Sequence, residues 1–134
     1  MTYKELSQYR GLIKRIEQLE AQKEEIAQLS ASMINGLPRG KRISDPTYQA
    51  YLRADKLDEL VMEERIRAVA ELERLTEYIA SVEDVEMQNI LTARFVEGKT
   101  YEEIGEKLYM HQSTVYKKLQ HFLKIQRNQN QEGL

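Results

Sequence analysis

The feature that most constrains this chain is the stretch from Thr92 to Gln126, TARFVEGKTYEEIGEKLYMHQSTVYKKLQHFLKIQ, which reads as two short helices around a tight turn. Thr100 is followed three residues later by Glu103, the reciprocal pair that satisfies orphan amides at a helix N-terminus. Gly98 stands just before it and closes the preceding helix. Within the first helix Tyr101, Ile104 and Leu108 share one stripe, with Gly105 among them. A mid-helix glycine costs about 1 kcal/mol relative to alanine, so it predicts close approach of a crossing helix. Leu108 ends the helix, and Tyr109, Met110 and His111 make the turn.

The second helix carries Val115, Leu119, Phe122 and Leu123 at spacings of three and four, an apolar stripe able to bury against the first. Its other face holds Gln112, Ser113, Tyr116, Lys117 and Gln120, with Lys118 at the edge of the buried stripe. Between Tyr109 and Asn128 stand Lys117, Lys118, Lys124 and Arg127 and no carboxylate, in a chain of net charge -2. Positive charge is therefore concentrated on one helix, where a polyanion can meet it. Upstream, Ser81 and Asp84 mark a helix start, and Val85, Ile90, Leu91 and Phe95 supply a third helix. The expected core is Ile90, Leu91, Phe95, Ile104, Leu108, Val115, Leu119 and Phe122.

At these residues the chain resembles a known family. GKTYEEIGEKL followed by TVYKKL looks like the helix-turn-helix of sigma-factor region 4 and, more closely, like the RinA-like and ArpU-like transcriptional regulators of phages and prophages. The resemblance is specific over Asp84 to Ile125. It implies a long helical N-terminal part, a C-terminal helix-turn-helix on double-stranded DNA and activation of late genes. Two positions depart from the family pattern: Tyr109 stands where glycine is usual, predicting strain at a positive φ, and His111 stands where serine is usual, a better N-cap.

The rest of the chain is long helix. From Tyr3 to Ile34 only Gly11 interrupts, and Leu12, Leu19, Ile26 and Met33 recur every seven residues as a coiled-coil-like seam, with Tyr9, Ile16 and Leu29 beside it. NGLPRGKRISDP, residues 35–46, breaks the helix through Gly36, Pro38, Gly40 and Pro46. Its Arg39, Lys41 and Arg42 are secondary candidates for phosphate contact. A second long helix runs from Thr47 to about Val82, with Val61, Ala68, Leu75 and Val82 in one heptad row, Leu72 and Ile79 in another, and Met62, Ile66 and Val69 widening the stripe.

The expected fold is all-α: a long antiparallel helical hairpin over residues 1–82, a three-helix helix-turn-helix domain over 83–127, and a polar tail over 128–134. Two helices alone bury little, so pairing with a second copy, or docking on another protein, is expected to finish the hairpin's core.

No cysteine is present to form a disulfide or thiolate site, and the two histidines, His111 and His121, lack a further ligand for a metal. Acidic neighbours such as Glu102 and Glu103 diverge around a helix, and no nucleophile accompanies them, so no enzyme and no cofactor are expected. The apolar runs are too short for a membrane span or signal peptide, which places the chain in the cytoplasm of a bacterial host.

In a helix-turn-helix the N-terminal part of the second helix enters the major groove. The expected DNA contacts are therefore Gln112, Ser113, Thr114, Tyr116, Lys117, Gln120 and Lys124, with Lys99, Thr100 and Tyr101 holding phosphate at the start of the first helix. A homodimer would read two half-sites, and activation would add contact with RNA polymerase. Two other readings share these residues: a terminase small subunit recognising packaging DNA, and a sigma-like factor active only with polymerase.

Overall fold

The computed structural model describes residues 1–35 and 45–132. The candidate contacts Arg39, Lys41 and Arg42 lie outside the described residues. The described chain is all helical, without a strand, and no helix in it is long and apolar enough to cross a membrane.

Helix α1, Tyr3–Leu6, begins at Thr2, whose hydroxyl accepts from the Glu5 amide at 3.2 Å. Ser7 separates it from α2, Gln8–Asn35. Helix α3 is Asp45–Ser81, and its C-terminal carbonyls find a partner from the next element: the Gln88 side-chain amide donates to Val82 O at 2.7 Å and Ile79 O at 3.2 Å. Helix α4, Val85–Leu91, starts where expected, with the Asp84 carboxylate accepting from the Glu86 amide at 3.1 Å. It continues through a wider π turn, Thr92–Val96, closed by the Glu97 amide on Thr92 O at 3.0 Å. Helices α5, Tyr101–Leu108, and α6, Gln112–Glu132, complete the order. Helix α6 thus runs past Arg127, where the polar tail was expected to begin.

The chain forms two compact units, Met1–Gly11 with Val69–Leu134, and Leu12–Ala68. In the first, Ile90, Leu91, Phe95, Ile104, Val115 and Leu119 are buried, and Leu108 and Phe122 pack against them half-buried, as expected. Leu6, Leu75 and Ile79 belong to the same cluster, and Tyr3 meets the Phe95 ring edge-on at 5.6 Å. The boundary drawn between residues 82 and 83 therefore runs through this core. Periodicity identified an apolar face on each long helix; it could not identify what the face would cover.

In the second unit Ile16, Leu19, Val61 and Ala68 are buried, and ion pairs join Glu20 to Arg65 and Lys23 to Asp58. The expectation that Met62 and Ile66 widen the buried stripe is overturned: they are 57% and 64% exposed, and Val69, in the first unit, is 59% exposed. They lie about a third of a turn from Val61 and Ala68 around α3, beyond the arc that one neighbouring helix covers.

Candidate nucleic-acid interface

The interface candidates are set by two helix starts and the turn between them. At the start of α5 both halves of the capping box form: the Glu103 amide donates to Thr100 Oγ1 at 3.2 Å, and the Thr100 amide donates to Glu103 Oε1 at 3.3 Å. The Thr100 hydroxyl is thus committed within the chain. Glu102 and Glu103 also occupy the first turn, where they complement the helix dipole and oppose a phosphate. Lys99 is engaged too, its ammonium 3.0 Å from Glu97 Oε2, with Lys107 at 3.9 Å from the same oxygen. The hydrogen bond from Lys99 holds the Glu97 carboxyl below its ordinary range.

Tyr101 is half-buried rather than open to a phosphate. The Arg94 guanidinium stacks over its ring 4.4 Å from the centroid, and Tyr116 meets it edge-on at 5.4 Å. Burial raises the Tyr101 phenol above 10.0, with Arg94 opposing. Arg94 also donates to Lys99 O at 3.0 Å. It went unnoticed in the sequence, where a lone arginine in an apolar helix carries no pattern. Its effect is to fix Tyr101 against α6 and so to orient Tyr116.

Helix α5 ends at Tyr109, whose φ of 58° and ψ of 44° are left-handed, as the departure from glycine predicted. The Met110 amide then returns to Gly105 O at 2.9 Å. His111 is the N-cap of α6, and its Nδ1 accepts from the Ser113 amide at 3.1 Å and from the Ser113 hydroxyl at 2.8 Å. That arrangement requires the tautomer with its proton on Nε2. The expected weak cap is therefore filled by an imidazole, and Ser113 keeps its oxygen lone pairs for an outside donor.

From this start α6 projects Ser113, Tyr116, Lys117, Gln120, Lys124 and Arg127 onto one exposed face. Gln112 lies exposed at its N-terminal end and Thr114 is half-buried. Among the described residues, Lys117, Lys124 and Arg127 form no ion pair, whereas Lys118 is paired with Glu86 on α4. The structure therefore gathers Ser113, Tyr116, Lys117, Gln120 and Lys124 on one face, leaves Gln112 and Thr114 beside it, and gives Lys99, Thr100 and Tyr101 intramolecular partners. No three His, Asp or Glu side chains converge as a metal site among the described residues.

Comparison with protein-family models, curated proteins and solved structures found no match to this chain.

Proposed function

We propose that the chain is a sequence-specific DNA-binding transcriptional regulator of phage or prophage type, in which α4, α5 and α6 act as a helix-turn-helix following a long helical hairpin. The observation that carries this reading is the α6 face: three cations free of ion pairs among the described residues, interleaved with amide, hydroxyl and phenol groups and no carboxylate. Phosphates attract such a face, and base edges match its donors and acceptors. In this reading Lys117 reaches guanine O6 and N7, Gln112 or Gln120 pairs with adenine, and Lys124 and Arg127 follow the backbone. Activation of late genes follows from the resemblance of GKTYEEIGEKL and TVYKKL alone. The long helices would join this domain to RNA polymerase, to a second copy or to another protein.

The test is selection of genomic fragments from the source by the full chain at about 150 mM salt, where nonspecific phosphate contacts are weakened. One enriched promoter-proximal site, lost with Lys117→Ala, is the expected result. Failure to enrich any site would discard the free-standing regulator. Stable binding to polymerase core would then favour the sigma-like reading, and a many-membered ring the packaging one.

A further inference from the structure

A second apolar seam runs along α3, separate from the face that carries Val61. Tyr48, Leu52, Asp55, Glu59, Met62 and Ile66 follow one another at alternating steps of four and three, the spacing of a coiled-coil contact line. Tyr48 is 62% exposed, Leu52 46%, Met62 57% and Ile66 64%, and Tyr51 at the flank is 67% exposed. Asp58 and Arg65, on the side of α3 next to Tyr51, hold α2 through Lys23 and Glu20, which leaves the seam itself open.

The centre of this seam states the chemistry of what can cover it. Asp55 and Glu59 are one turn apart, both exposed, and neither forms an ion pair among the described residues. Asp58, in the same turn, is already paired with Lys23. Like charges at this spacing destabilise a helix, and burying them under an apolar partner would leave unpaired charge at low dielectric.

A second copy of the chain meets this problem in both alignments. In a parallel pair Asp55 opposes Asp55, and Glu59 opposes Glu59. In the antiparallel pair that matches apolar with apolar, Tyr48 opposes Ile66 and Leu52 opposes Met62, which sets Asp55 opposite Glu59. The exposed apolar area is on the order of 500 Å², judged from two tyrosines of roughly 200 Å² each and three aliphatic neighbours. That is the scale of one docked helix rather than a subunit interface of about 800 Å² per partner.

We propose that this seam docks a basic amphipathic helix of another protein. Its apolar residues fill the two ends, between Tyr48 and Leu52 and between Met62 and Ile66, and its Lys or Arg side chains stand opposite Asp55 and Glu59. This docking does not depend on the DNA reading.

The test uses the full chain and two synthetic helices of about three heptads. Both carry Leu and Ile at the seam positions; one has Lys and the other Glu at the two central positions. Fluorescence anisotropy should show the Lys helix binding at least tenfold tighter than the Glu helix, with Ile66→Asp abolishing binding while circular dichroism stays unchanged. The double variant Asp55→Lys with Glu59→Lys should reverse the preference. Equal binding of the two helices, or binding of neither, overturns the proposal. So does a chain dimer in sedimentation that Ile66→Asp dissociates, which would give the seam to a second copy.

Discussion

A Cβ placed on Gly105 would stand 2.5 Å from the Met110 carbonyl oxygen and 3.3 Å from the Gln112 amide nitrogen. Both are backbone atoms, one of the turn and one of the first residue of α6, and cannot move aside as a flexible side chain would. The glycine is thus explained by the close return onto α5 of the turn together with the first residue of the next helix, α6. Gly105→Ala gains about 1 kcal/mol of helix propensity and meets overpacking of typically about 1 to 3 kcal/mol, so a net loss is expected. Thermal unfolding of the variant checks this; an unchanged or higher Tm would mean that the turn has room to open.

Tyr109 presents the opposite case. It holds a left-handed conformation with a side chain 96% exposed, so the conformation is strained and the ring buries nothing in return. Tyr109→Gly should stabilise the chain by about 1 kcal/mol, because glycine reaches positive φ without the Cβ clash. Denaturant unfolding would show a higher midpoint at unchanged slope. A lower midpoint would show that the tyrosine contributes something beyond its backbone.

The His111 imidazole accepts the Ser113 amide in the first turn of α6, so removing it should matter more than its exposure suggests. His111→Ala is expected to lose about 1 kcal/mol, and His111→Ser to equal or exceed the native stability, because serine is the stronger N-cap. Equal stability of all three proteins would remove the cap from the account.

These turn contacts also show what the sequence made legible. The capping box, the glycine end of the preceding helix, the positive φ at Tyr109 and the central core residues were all readable, because each is fixed by neighbours within four or five positions. Leu75 and Ile79 were assigned to a helix face, but the core they join, with Leu6 that no pattern singled out, brings together residues distant in sequence. The π turn at Thr92–Val96, which carries the buried Phe95, has no compositional signal. Tyr101 looked like a phosphate contact because its place at a helix start was visible and its neighbours Arg94 and Tyr116 were not.

Tyr78 offers a test by pH. Among the described residues its hydroxyl is buried without a hydrogen-bond partner, and burial, with a smaller push from the Glu5 carboxylate, raises the phenol above 10.0. The folded chain therefore holds the proton more tightly than the unfolded one. This stabilisation is complete below pH 10.0 and is lost as pH rises through the folded value. Tyr78→Phe should match or exceed native stability at pH 7, by up to about 1 kcal/mol for the relieved hydroxyl, and should lose less on going to higher pH. A native-like alkaline decline in the variant would assign that decline elsewhere, with Tyr101 the next group to replace.

The interface prediction separates two neighbours on α6 that the sequence treated alike. Lys117 is exposed and makes no ion pair among the described residues, so Lys117→Ala should leave unfolding within about 0.5 kcal/mol of native, as for most surface substitutions. Its effect should fall on DNA: a loss of about 1 to 3 kcal/mol at the selected site if it reads a base. Tyr116 is also half of an aromatic pair with Tyr101 at 5.4 Å. Tyr116→Ala should lower stability by about 1 kcal/mol as well as weaken binding, whereas Tyr116→Phe should keep the pair and report on the hydroxyl alone. Lys124→Ala should act differently again, weakening all sequences alike and reducing the salt dependence by about one phosphate contact. Electrophoretic titration of these variants against specific and scrambled duplexes at several salt concentrations makes the comparison. Native affinity for the specific duplex in Lys117→Ala, with Lys124→Ala also unchanged, would remove α6 from the interface, because its remaining exposed groups supply too little charge to hold a duplex.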